Sequence, residues 1–398
     1  MKRTVFLMGI AALAFASCAK DTVTEVNRGM AIDFRVAAQT RATETTTANL
    51  DEFKVTAIAV EDEQETEIYF DRQLFEVVEE KEGDVVKSRY FISDPVYYWP
   101  KGGTLKFYAY SPVDMNVKEE DGKTVEDFTP APKVEDQVDF ITARAIATHT
   151  TEIESTGVGL AFTHELTQIQ VKATNSNEGY KYTIKAFEIG NVDGKGTFDF
   201  TKAVGSRWTL SNDKTTDYTV DFEEVVLNAT PTVFLGETNS AMLLPQQLTA
   251  WTNTDEGDAG TYFAVLARIE TAAGTVVYPK AAEEDNTNGV EGQAEGDDAG
   301  EGEVEEEKKF GWLAVGVDTK WEPGNKYVYT LDFSTGAGIP VEPGGNVSEG
   351  GNEELFGGPI KFTTEVAAWT TTNDITIKKE VTVPPVITPT NNPTGDQQ

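Results

Sequence analysis

The chain has 398 residues, 39% of them hydrophobic and 10% aromatic, enough for two domains with real cores. Against 33 Lys plus Arg stand 67 Asp plus Glu, a net charge of −34 that repels phosphate backbones and anionic lipid surfaces, so no nucleic-acid partner is expected.

The first seventeen residues begin with Lys2 and Arg3, continue through an apolar run from Val5 to Ala16, and end in small residues, as a secretory signal does. Cys18, the only cysteine, follows at once. Its placement resembles a bacterial lipobox, with Phe15 where Leu is more usual, and predicts a lipid on Cys18. An ordinary signal peptide with an incidental cysteine is the alternative. No later stretch reaches the roughly 20 apolar residues of a membrane-spanning helix, so lipid or partners, and not a span, are expected to hold the mature protein.

In "MAIDFRVAAQTRATETTTANLDEF", from Met30, the residues Ile32, Phe34 and Val36 alternate with Asp33 and Arg35. That period predicts a strand with one buried and one wet face. Arg41 and Ala42 follow, opening the spacer "ATETTTA", which has no apolar face and is expected to be exposed and easily cut. Alternation rich in Val, Ile, Thr, Tyr and Phe recurs in "FKVTAIAV" from Phe53, "TLKFYAY" from Thr104, "IQVKA" from Ile169, "KYTIKAFEI" from Lys181 and "KYVYTLDF" from Lys326. Turn residues punctuate these runs, as in "PKGG" at Pro100 and "EPGNK" at Glu322, and no long helical period interrupts them. The pattern predicts an all-β protein of sandwiches with at most short helices.

After the signal peptide, 1–17, and a lipidated first segment, 18–41, two β-rich blocks are expected, 42–156 and 157–398. "HTTEIESTG" at His149 is either their linker or a hairpin loop. The stretch 281–309 is dense in acid and glycine, lacks apolar periodicity and is expected to be a disordered loop joining two strands. It lacks the ordered spacing of a calcium loop. Near the carboxyl end, "DITIKKEVTVPP" sets Ile375, Ile377, Val381 and Val383 on one face, interrupted by Lys379. This nine-residue run spans about 30 Å, and Pro384 and Pro385 then stop it. It suits a strand given to another molecule; pairing inside its own domain is the other reading.

Chemistry is thinly represented. His149 and His164 are the only histidines, and HExxH, GxSxG, GxxxxGK[ST] and a zinc-binding cysteine pair are all missing. No catalytic residue, cofactor or metal is therefore expected, and the chain reads as a non-enzyme. Six tryptophans could offer sugar-stacking platforms, although their strand-like flanks favour cores and sheet ends.

Six segments taken in order carry a further likeness: "VYYWPKGGTLKFYAYSP" from Val96, "DFITAR" from Asp139, "LAFTHELTQIQVKA" from Leu160, "MLLPQQL" from Met242, "GNKYVYTLDF" from Gly324 and "IKFTTEVAAW" from Ile360. Together they resemble the fimbrillin family, the subunits of Bacteroidales type V fimbriae; the acidic insert before Phe310 departs from it. The resemblance implies two transthyretin-like β-sandwich domains in tandem and a lipoprotein precursor anchored to the outer membrane. It also implies an arginine-specific protease that cuts between Arg41 and Ala42 and removes the strand "AIDFRVAA". The partners implied are other copies or related fimbrial subunits, joined by strand complementation in a fimbrium that supports adhesion to a host or bacterial surface. An uncut surface lipoprotein, acting as an anchor or binding a glycan or protein, is the rival reading.

Overall fold

The computed structural model describes residues 31–36, 50–101, 103–214, 216–236, 240–252, 260–279, 310–341 and 355–369, and the backbone of 377–379. Cys18, Arg41, Ala42, the acidic stretch 281–309, Ile375, Val381 and Val383 lie outside these residues. The fold is all-β. Among the described residues no helix is long and apolar enough to cross a membrane.

The first part is one eight-stranded sheet built from β1 (Phe34–Val36), β2 (Glu52–Glu61), β3 (Gln64–Glu82), β4 (Val85–Ile92), β5 (Thr104–Ser111), β7 (Ile141–Thr148), β8 (Val158–Leu160) and β9 (Thr163–His164), in the order β8-β1-β4-β3-β2-β5-β7-β9. β3 is 19 residues long and serves two neighbours, pairing with β2 up to Glu76 and with β4 from Glu76 onward. Register shifts along β2 and a left-handed Arg72 (φ 45°) bend the sheet so that it closes over its own apolar face. The ring of Phe34 in β1 thereby meets that of Phe107 in β5 at 5.1 Å between centroids.

β8 and β9 carry this sheet to His164, past the boundary expected after residue 156. The reason is that β1 needs a neighbour on its second edge, and β8 supplies it in parallel. Before β8, Thr151–Thr156 forms a short helix, α1, where a linker or hairpin loop was expected. The Thr150 hydroxyl caps it by accepting from Ile153 N at 3.2 Å, and Gly157 (φ 72°) ends it.

The second part packs two sheets. One orders β15 (Thr232–Leu235), β10 (Thr167–Thr174), β20 (Asn325–Asp332), β22 (Lys361–Ala368) and β23 (Ile377–Lys379), with β16 (Ala241–Leu243) also on β10. The other orders β14 (Thr216–Val226), β11 (Tyr180–Val192), β17 (Tyr262–Thr271), β19 (Gly311–Gly316) and β21 (Ile339–Val341), with β18 (Val276–Tyr278) also on β17. Their facing residues form the largest core, in which Phe263 of β17 meets Tyr329 of β20 at 4.8 Å. Burial of these alternate side chains, at roughly 25 cal/mol per Å² of apolar area, drives the pairing of the layers.

A three-stranded sheet joins the parts. β6 (Thr124–Phe128) pairs with β12 (Gly196–Asp199), which pairs with β13 (Trp208–Leu210). Phe140, Phe198, Phe200, Tyr108, Tyr110 and Trp369 share one cluster across the junction. This explains why β2 is buried on both faces: Ala57 turns to the first core and Ile58 to the junction. At its centre the buried Glu165 carboxylate accepts from the Arg207 guanidinium, from Thr142 Oγ1 at 2.6 Å and from Thr163 Oγ1 at 3.0 Å. Burial outweighs these contacts and pushes the Glu165 carboxyl above its usual range.

Candidate functional site

β1 is an interior strand made of very few residues. It lies between β4, antiparallel at Phe34–Phe91, and β8, parallel at Phe34–Val158, Arg35–Gly159 and Val36–Leu160. Before it, Ile32 N donates to Tyr97 O at 2.8 Å and Ala31 bridges to Tyr98. Val158 N donates to Asp33 O at 2.9 Å. So short a ladder cannot be the main grip; the side chains are.

Ile32 and Phe34 are fully buried. The Phe34 ring stands edge-on to Phe53 at 5.9 Å, Phe75 at 4.8 Å and Phe107 at 5.1 Å, the arrangement that the ring quadrupoles favour. Val36 packs half-buried at the margin of the same core. The alternation expected at Ile32, Phe34 and Val36 thus points one face into the first core.

The other face differs from expectation. Asp33 was predicted wet and is 3% exposed. The turn that ends α1 lies over it: a Cβ on Gly157 would stand 2.9 Å from Asp33 Oδ1, so only glycine admits this approach. Arg35 Nη1 meets Asp33 Oδ2 at 3.1 Å, and the Arg35 guanidinium lies 4.8 Å above the Tyr90 ring. The outward side of β1 is therefore a polar clasp. Nothing in the local period announces it, because Gly157 and Tyr90 are distant in sequence.

Withdrawal of β1 would leave β4 and β8 a strand's width apart, with unpaired backbone groups on both edges and the rings of Phe53, Phe75 and Phe107 as an apolar floor.

The opposite end of the chain has a fixed root. Trp369 is buried, its backbone N–H donates to Gly324 O at 2.6 Å, and its indole stacks on His164 at 4.2 Å and 7°. His164 Nδ1 lies 2.9 Å from Asp139 Oδ2. Beyond this root, Ile377–Lys379 forms the edge strand β23 on β22 of its own sheet, with Ile377 opposite Val366 and Lys379 opposite Thr364. The candidate donor run is thus placed, over these three residues, in the intramolecular position that the sequence left open.

The histidines and tryptophans have structural partners. His149 Nε2 lies 2.7 Å from Glu154 Oε1, and its ring stacks on Trp99. Trp99, Trp251, Trp321 and Trp369 are buried, while Trp208 and Trp312 are half-buried and pack against clusters. Among the described residues no group of three or more His, Cys, Asp or Glu is placed to hold a metal ion.

A family model described as fimbrillin-like matches residues 40–348. No curated protein is matched. Among solved structures, a candidate cell-adhesion protein from Bacteroides uniformis is 12% identical, with 86% of this chain and 98% of that chain covered and a TM-score of 0.43. One from Parabacteroides distasonis is 10% identical, covering 87% and 98%, at a TM-score of 0.43. The fimbrial anchor protein Mfa2 from Porphyromonas gingivalis is 10% identical, covering 86% and 98%, at a TM-score of 0.29.

Proposed function

The chain belongs to the fimbrillin-like family, and from that premise we propose that it is a fimbrial shaft or tip subunit that polymerises by giving up its first strand. In this reading the precursor is exported, lipidated on Cys18 and held at the outer membrane. A protease cuts after Arg41, β1 leaves with the lipid, and the run bearing Ile375, Ile377, Val381 and Val383 of another copy enters the slot. No catalysis or cofactor takes part; adhesion follows from the polymer.

The observation that carries the reading is the contrast within β1. Its side chains fill a complete core position, yet its ladder covers only the three residues Phe34–Val36. A strand held mainly by side chains that slot into a preformed groove is replaceable by another of the same alternation. The mass of the protein taken from native cells tests this: a chain that begins at Ala42 supports it, and a lipidated chain that begins at Cys18 contradicts it.

One observation favours a second reading. β23 satisfies the edge of its own sheet, as suits an uncut surface lipoprotein that anchors or binds without donating a strand. The same mass measurement separates the two.

A further inference from the structure

The Phe34 ring occupies a socket with fixed walls. Its three edge-on neighbours, Phe53, Phe75 and Phe107, are themselves fully buried. A second tier of rings holds them: Phe91 and Phe162 lie 4.7 and 5.3 Å from Phe53, and Phe70 lies 5.8 Å from Phe75 and 6.4 Å from Phe107. Walls packed from behind do not collapse onto a smaller guest, so how well a side chain fills this socket decides how firmly its strand is held.

The run "ITIKKEVTV" from Ile375 contains no aromatic residue. Laid in the slot in the direction of β1, it keeps the antiparallel ladder to β4 and the parallel one to β8. One register matches β1 place by place: Ile375 on Ile32, Thr376 on Asp33, Ile377 on Phe34, Lys378 on Arg35 and Lys379 on Val36. It returns a cation to the face of Tyr90, where the Arg35 guanidinium lies at 4.8 Å, and leaves Lys379 at the half-buried margin. Every other placement that sets an apolar residue of the run on Phe34, in either direction, meets one of three penalties. Lys379 or Asn373 falls on the fully buried place of Ile32, Pro384, which has no N–H, enters the ladder, or an acid, Asp374 or Glu380, faces the negative side of the Tyr90 ring.

We propose that the run of a second copy enters with Ile377 in the Phe34 socket, and that this socket, underfilled by isoleucine, ranks donor strands, with an aromatic residue at that register preferred. The proposal rests on the strand-complementation reading above and adds the register and the residue that decides among donors.

The test uses the full chain. Parent, Ile377→Phe and Val381→Phe are cut after Arg41, and the loss of filaments on dilution is followed by light scattering. Filaments of Ile377→Phe should break down about tenfold more slowly than those of the parent, and filaments of Val381→Phe at the parent's rate. No slowing by Ile377→Phe, or an equal slowing by Val381→Phe, overturns the register. A dye-labelled peptide of residues 30–38 reads the socket without the run: its Phe34→Ile form should leave the cut chain about tenfold faster than the parent peptide, and equal rates overturn the socket's preference. A cut parent that holds the peptide yet forms no filaments overturns the run as donor, and its register with it. A cut parent that does neither overturns strand complementation itself.

Discussion

Phe34→Ala separates the grip of the first strand from everything else in the molecule. Phe34 is fully buried against Phe53, Phe75 and Phe107, and truncation of such a ring costs about 3–5 kcal/mol. In the uncut protein this should lower the thermal midpoint of the first part by roughly 6–20 °C, at about 2–4 °C per kcal/mol. After cleavage at Arg41 the strand is held without a covalent link, and the same loss speeds its release by about a hundredfold to a few thousandfold. Cys18 is the only thiol, so a dye on the unlipidated precursor reports departure by fluorescence anisotropy. Once the strand has left, the variant and the parent are the same chain from Ala42 onward, and their later assembly must be identical. A strand that leaves Phe34→Ala no faster than the parent would refute the claim that this ring is the principal hold.

Gly157→Ala forces a side chain at φ 72° and sets a Cβ 2.9 Å from Asp33 Oδ1; at about 1–2 kcal/mol of strain the cut strand should leave roughly five- to thirtyfold faster, read by the same anisotropy assay. Arg207→Ala strands a buried carboxylate at the junction and should cost about 3–5 kcal/mol in urea unfolding, whereas adding Glu165→Leu should restore part of the loss; equal stability of Arg207→Ala and the parent would contradict the buried pair. Burial tends to raise the Glu65 carboxyl, but hydrogen bonds from Lys106, Lys123 and Tyr108 overcome this and hold it at about 2, below its ordinary 4.5. Its folded value is depressed, so its contribution of roughly 1–3 kcal/mol is present above pH 4.5 and fades as the pH falls toward 2; Glu65→Gln should flatten that part of the stability profile.

The period of two reads directly as strands wherever one face is buried, and Ile32, Phe34 and Val36 show the core side of β1 before any neighbour is known. What periodicity cannot carry is pairing between distant segments. β1 finds β8 more than a hundred residues onward, and β6 leaves its own half of the chain to pair with β12. Asp33 reads as solvent-facing because its cover, Gly157, ends a helix far away in sequence. The buried Glu165 and Arg207 are equally silent, since a charged residue in a loop pattern ordinarily marks exposure, and only the junction of the two parts encloses them.

The central claim is that the slot of β1 accepts the carboxyl-terminal run of another copy, and filament formation tests it most directly. Three chains are treated with an arginine-specific protease and viewed by negative stain: the parent, Arg41→Ala, and the chain ended at Asp374. Filaments from the parent alone are the predicted result. Filaments from Arg41→Ala would contradict release of the strand at that bond, and filaments from the shortened chain would contradict Ile375–Val383 as the strand that fills the slot.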